Sequence, residues 1–245
     1  MNKPLCAALI LVSSLAVLCA QQTKPWSEWS KKDVDKMLSD SAWAQTQTET
    51  DTSEMTYSPT ISKTTNARKE DTKITDASNV ESGAKNSTMF VKYRIRLLSA
   101  KPIREALARM VMLAQPAPNP QLSEQLQGFV DRDFNEYVVV AVTVEASDQR
   151  YSAPIGQAFN SATAEMLKKT TYLERKDGKR LFLLEYRPPS NDGIGAKFIF
   201  SRAVDGKAFI GEGDNVRFVA EFNDKVKLNA RYKVSEMTYN GKLEY

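Results

Sequence analysis

The chain has 245 residues, with 34 basic against 30 acidic side chains, two cysteines and no histidine. The missing imidazole excludes Ser–His and Cys–His catalysis and argues against zinc or copper centres. The positive excess is too mild to imply nucleic-acid binding, so any chemistry falls to Asp, Glu, Lys, Arg, Tyr, Ser and Thr.

Residues 1–20 read as a secretory signal peptide. Lys3 supplies a thin positive start, and Leu5 to Leu18 form an apolar run broken by Cys6, Ser13 and Ser14. The run is short for a membrane span of about 20 residues, and cleavage is expected near Cys19 or Ala20. Both cysteines lie in this segment, so the exported chain carries no disulfide and relies on its core alone. The expected location is periplasmic or extracellular. A lipoprotein anchored through Cys19 is a minor alternative, because Leu18 stands where a small residue normally precedes a lipid-acceptor cysteine.

Residues 21–44 form a tryptophan-rich helical arm that holds all three tryptophans, Trp26, Trp29 and Trp43. Ser30 is placed to cap a helix, with Asp33 three residues on. Trp29 and Val34 have hydrophobic-staple spacing, and Val34, Met37, Leu38 and Ala42 make one apolar face. So short a helix is marginal alone. The rings of Trp26, Trp29 and Trp43 therefore either dock on the chain's own globular domain or bind a partner at the envelope.

Residues 45–86 read as a Ser/Thr-rich flexible linker with few large apolar groups. Thr alternates with polar residues from Gln45 to Thr52, a pattern open to a polar edge strand but expected to be extended coil.

Residues 87–245 form the globular body. Met89, Val91, Tyr93, Ile95 and Leu97 alternate with Lys92, Arg94 and Arg96, which predicts a half-buried strand. A helix follows with Pro102 in its first turn, Ile103, Leu107, Met110 and Ala114 on one face, and Pro116 as its stop. Asn119 and Pro120 cap and start a second, with Leu122, Leu126, Phe129 and Val130 inward. Tyr137 to Val144 predicts a strand covered on both faces. A third helix is expected from about Pro154, presenting Ile155, Phe159, Ala162 and Met166.

From Thr171 onward, strands and turns dominate. Asp177-Gly178, Asp205-Gly206 and Asn240-Gly241 signal hairpins. Val216, Phe218, Ala220 and Phe222 alternate inward, as do Val226, Leu228, Ala230, Tyr232 and Val234 after an Asn223-Asp224 turn. The fold class is α+β: a mostly antiparallel, partly curled sheet with about three helices against one face, preceded by the arm and linker.

No catalytic residue can be nominated, and no metal or cofactor is implied. Asn191-Asp192-Gly193 and Glu212-Gly213-Asp214-Asn215 offer oxygen ligands, but neither fits the twelve-residue calcium loop, and such residues gather in turns for backbone reasons. Ser82-Gly83-Ala84-Lys85 has Ser-x-x-Lys spacing without its companion motifs. Asp131 and Asp133 diverge on a helix, so they make no glycosidase pair. There is no phosphate loop and no dinucleotide fingerprint. Lys92, Arg94 and Arg96 make a candidate anionic-surface contact, although such a row is also the ordinary wet side of a strand.

Lys24-Pro25-Trp26-Ser27-Glu28-Trp29-Ser30, Ser41-Ala42-Trp43-Ala44 and the ending Val216–Tyr245 together resemble exported bacterial proteins of acidobacterial type. That family has no assigned activity, and the resemblance implies export and an envelope setting only. The expected function is an exported, non-catalytic protein acting by binding or assembly at the bacterial cell envelope. Two alternatives stand beside it. One is a histidine-free hydrolase using carboxylates. The other is a carrier of small apolar ligands with a cavity lined by Phe198, Phe218 and Tyr232.

Overall fold

A computed structural model describes residues 24–51, 89–117 and 119–245. The signal peptide, the Ser82–Lys85 spacing and most of the linker lie outside the described residues. The chain folds as α+β, with several antiparallel sheets and five α-helices among the described residues. Among the described residues no helix is long and apolar enough to cross a membrane.

The arm begins with α1 (Lys31–Ser39). Its capping box is complete: Ser30 Oγ accepts from the Asp33 amide, and the Asp33 carboxylate accepts from the Ser30 amide at 2.9 Å. Val34 and Leu38 are buried on its inner face. The chain then enters β1 (Ala44–Asp51), which pairs antiparallel with β2 (Met89–Leu97) in the register Ala44↔Arg96 to Asp51↔Met89. The polar alternation after Gln45 is thus an edge strand over its first residues, not coil. Its threonines face outward, while Gln45, Gln47 and Glu49 share the side of Ile95, Tyr93 and Val91.

Three helices fall close to their sequence signals. They are α2 (Lys101–Ala114), with Pro102 in its first turn; α3 (Pro120–Val130), capped by Asn119; and α4 (Gln149–Ser161). α4 starts earlier than Pro154, because Asp148 accepts from the Arg150 amide and caps it there. The apolar stripe then breaks. Thr163 caps a separate short helix, α5 (Ala164–Leu167), which shifts the phase so that Leu167 is buried and Met166 is exposed.

The strands divide between two sheets. β3 (Tyr137–Ala146), β6 (Glu185–Arg187) and β7 (Ala196–Ser201) complete the first, in the order β1-β2-β3-β7-β6. β4 (Thr171–Arg175), β5 (Arg180–Phe182), β10 (Asn215–Glu221) and β11 (Lys227–Lys233) form the second, in the order β11-β10-β4-β5. Between them in sequence sits the hairpin β8 (Ala203–Val204) and β9 (Lys207–Ala208); β12 (Thr238–Tyr239) and β13 (Lys242–Leu243) form another near the end. Both small hairpins turn on the expected pairs. Asp205 and Gly206, like Asn240 and Gly241, all have positive φ, the conformation a tight two-residue turn requires.

The main core lies between the two sheets. Phe198 of β7 meets Phe218 of β10 edge-on at 5.2 Å, and Phe200 meets the same ring at 6.3 Å. Tyr232 of β11 crosses the interior and donates its hydroxyl to Ile95 O at 3.2 Å. At one end Phe159 of α4 stacks on Phe222 at 4.4 Å, and Tyr186 OH donates to Phe159 O at 2.6 Å. Each fully buried ring contributes roughly 1.5–3 kcal/mol from its area. Helices α1 and α2, backed by α3, lie over the opposite face of the first sheet, where Val139, Ala141 and Arg96 are buried, while α4 closes one end of the intersheet core. The outer face of the second sheet carries no comparable helical cover among the described residues.

The two sheets also meet along a seam. Edge strand β1 faces edge strand β11, and side chains replace the missing ladder. Gln47 Nε2 donates to Lys227 O at 2.8 Å, and its Oε1 accepts from the Asn229 amide at 2.8 Å. Gln45 Oε1 accepts from the Arg231 amide at 2.9 Å, and its Nε2 donates to Arg231 O. Two glutamine amides thereby satisfy backbone groups that an exposed edge would leave to water. This explains glutamine on the inward side of β1: each meets a rim of polar backbone, not the apolar centre.

Candidate functional site

The three tryptophans lie on the chain's own body. Trp29 is buried beside α2, where its carbonyl accepts from Arg109 Nε at 2.9 Å, and Trp26 packs half-buried against the same core. Trp43 is 6 % exposed. Its Nε1 donates to Glu244 O at 2.7 Å, and its ring meets Tyr239 edge-on at 6.1 Å. In this conformation Trp29 and Trp43 present no ring to a partner.

The row Lys92, Arg94 and Arg96 is not a continuous cationic surface. Arg96 is buried beneath α1, with Nε donating to Leu38 O at 2.8 Å. Burial lowers its pKa to about 10. Strand alternation put Arg96 on the outer face of β2 correctly, but at Arg96 that face is covered by α1, while Lys92 and Arg94 stay partly exposed. Arg94 is paired with Glu145 at 2.6 Å, and Lys92 lies over the Phe90 ring at 4.5 Å. The three residues proposed to line a carrier cavity, Phe198, Phe218 and Tyr232, are all buried in the intersheet core, where the two phenylalanine rings pack against each other.

The carboxylates are mostly engaged locally. Asp131 takes Lys101 at 2.9 Å, and Asp133 accepts from the amide of Asn135 at 2.7 Å. Both border a polar recess of about 250 Å³ that also contains Arg104 and Arg202. Those arginines are committed to backbone. Arg104 donates to Val130 O at 3.0 Å and Leu98 O at 3.2 Å, while Arg202 donates to Tyr245 O at 2.8 Å. Glu105 is buried, accepts from Tyr239 OH, and has its pKa raised by desolvation. The two loops rich in Asp and Asn are tied down as well. Asp192 accepts from the Ile194 amide and pairs with Lys197 at 2.6 Å; Asp214 accepts from the Gly211 amide at 2.9 Å. No group of three or more metal-ligating side chains occurs among the described residues.

An open groove of about 1010 Å³ runs from the end of α1 and the start of β1 onto the second sheet. Five basic side chains line it: Arg175, Lys176, Arg217, Arg231 and Lys233. Three acidic ones, Asp40, Glu174 and Glu236, oppose them, leaving an excess of two positive charges. Register explains the clustering. Arg217 of β10 lies directly opposite both Arg231 of β11 and Glu174 of β4, and Glu174 lies opposite Arg180 of β5. One row across the outer face thus reads Arg, Arg, Glu, Arg.

Glu174 is held by Arg180 at 2.8 Å and by Arg217 at 2.5 Å. The Arg180 hydrogen bond is the largest influence; it outweighs desolvation and, with the lesser charge effects of Arg217 and Arg180, keeps the carboxyl below its usual range. Arg175 is braced by Asp177 and Asp214, both at 3.4 Å. Lys233 pairs with Glu236 at 3.1 Å. Lys176 and Arg231 are exposed, and neither has a carboxylate partner among the described residues. The Nε groups of Arg175 and Arg217 are buried without an acceptor. The groove can therefore accept negative charge.

Local spacing missed this groove because its residues come from four separate segments. The Asn223-Asp224 turn could have revealed part of it, since folding the two strands about that turn sets Arg217 against Arg231. The chain is thus an α+β protein whose two main antiparallel sheets enclose the core, with a cationic groove on the outer face of the second. No family model, curated protein or solved structure matches it.

Proposed function

We propose that this is an exported protein of the bacterial envelope that works by binding and not by turnover, with the groove on the second sheet as its binding surface. The observation that carries this reading is the groove's surplus of positive charge on a face without helical cover. Two further features support it: the engagement of the candidate carboxylates by basic or backbone groups, and a filled intersheet core. Export rests on the N-terminal pattern of Lys3 followed by the run Leu5–Leu18.

The test combines fractionation with cosedimentation. The full chain, expressed in a bacterium, is expected outside the cytoplasm with its N-terminus processed near residue 20. The processed protein is expected to sediment saturably with isolated envelopes, and less so after Arg231→Gln combined with Lys176→Gln. Retention in the cytoplasm with an intact N-terminus, or envelope binding indifferent to these substitutions, refutes the reading.

A further inference from the structure

The groove's chemistry narrows the ligand, and this step rests on the binding reading above. We infer that the groove recognises a phosphoryl group, either as free phosphate or pyrophosphate or as part of a lipid head group.

The argument begins with Arg217 and Arg231. They are directly opposed across β10 and β11. The Arg231 amide points away from β10 to Gln45, so this is a non-hydrogen-bonded pair. In such pairs the Cα atoms approach to about 4.5 Å, closer than in hydrogen-bonded ones. Like charges so placed repel. Glu174 relieves Arg217, but it is shared with Arg180 and does not ion-pair with Arg231. Lys176 adds another cation without a carboxylate partner to the lining of the same groove.

An anion bridging Arg231 and Lys176 beside Arg217 would offset this repulsion. Lys176 and Arg231 are the groove cations without a carboxylate partner among the described residues, so one anion can engage both. A guanidinium fork pairs bidentately with two oxygens of a phosphate, whereas a lysine contributes a point charge. A carboxylate offers the same fork but only two coplanar oxygens, whereas a tetrahedral phosphoryl group presents further oxygens to a second cation.

Calorimetry and thermal shift on the purified protein test this, using pyrophosphate as probe and acetate at equal ionic strength as comparison. Sedimentation with vesicles of phosphatidylglycerol in phosphatidylcholine, against phosphatidylcholine alone, forms a second arm. Pyrophosphate is expected to bind saturably and raise the melting temperature, and acetate is not. Arg231→Gln with Lys176→Gln is expected to weaken binding by about tenfold or more, the scale of a lost charge-assisted hydrogen bond. Both residues are exposed, and far-UV circular dichroism checks that the variant stays folded. Lys168→Gln, exposed and outside the groove lining, is expected to bind as the parent does.

Binding to anionic vesicles alone supports the head-group form, and binding to free pyrophosphate alone supports the soluble form. Binding of neither at millimolar probe overturns the inference. So does acetate matching pyrophosphate, or unchanged affinity in the double variant. Envelope binding that needs the groove but is not displaced by pyrophosphate or by phosphatidylglycerol vesicles would end the phosphoryl assignment and leave the binding function standing. Cytoplasmic retention would do the reverse.

Discussion

Substituting Trp43 tests whether the arm belongs to the cooperative fold. Its ring is 6 % exposed, touches Tyr239 and donates to Glu244 O at 2.7 Å. A buried tryptophan covers about 200 Å², worth about 5 kcal/mol at 25 cal/mol per Å². Collapse of the site recovers part of this, so Trp43→Ala is expected to cost about 4 kcal/mol, within the range for large-to-small aromatic changes. Trp43→Phe keeps most of the apolar contact but leaves Glu244 O without its donor, so it should cost about 1–2 kcal/mol. The assay is urea unfolding followed by far-UV circular dichroism. With a slope of about 2.5 kcal/mol per M, the alanine variant should lose about 1.5 M in midpoint and the phenylalanine variant about a third of that. If both variants lose less than about 1 kcal/mol, the arm is not part of the cooperative unit and the docking argument fails.

Gln47→Ala removes one stitch of the seam, leaving the Asn229 amide and Lys227 O to water. It should cost about 1 kcal/mol and speed hydrogen exchange at Asn229 ahead of Phe218; unchanged exchange at Asn229 would show that the glutamine does not protect the edge. Gly195→Ala should be far more damaging than Gly178→Ala. Both glycines have positive φ, but a Cβ on Gly195 would lie 2.8 Å from the Val142 carbonyl carbon and 2.9 Å from Thr143 Cγ2, whereas Gly178 faces open space. The first change should cost about 3 kcal/mol or more and the second about 1 kcal/mol, read as melting temperatures.

Glu105→Gln tests a buried acid. Desolvation raises the Glu105 carboxyl pKa in the folded state. As pH rises through the ordinary carboxylate range, the unfolded chain therefore releases its proton first. The folded state then holds more protons, and this group's contribution to stability falls. It is fully present below about pH 4 and declines as pH climbs through the raised folded pKa. The glutamine variant should gain relative to the parent between pH 4 and pH 7; a constant difference across that interval would refute the assignment.

Much of the architecture was legible where local chemistry is decisive. Ser30 with Asp33, and Asn119 with Pro120, mark helix starts because only particular side chains satisfy free amides there. Asp205-Gly206 and Asn240-Gly241 mark hairpins because few residues tolerate positive φ. What escaped depends on distant neighbours. β1 looks like coil because its inward glutamines answer β11, some 180 residues later in the chain. Arg96 looks solvated because alternation reports a face, not what covers it. The short strands β5 and β6 belong to different sheets, and Leu183-Leu184 between them carries no turn signal. The groove is a property of register: its arginines become neighbours only when β11, β10, β4 and β5 lie side by side.

The stitched seam also orders events in time. A chain made from its N-terminus completes α1 and β1 long before it makes Lys227, Arg231 and Glu244, which hold them. Until those late residues appear, Trp43 and the glutamines have nowhere to settle, and contacts spanning so much sequence are slow to form. The arm is therefore synthesised early and is among the last of the described segments to come to rest, leaving the nascent protein unlatched until β11 and the β12–β13 hairpin arrive.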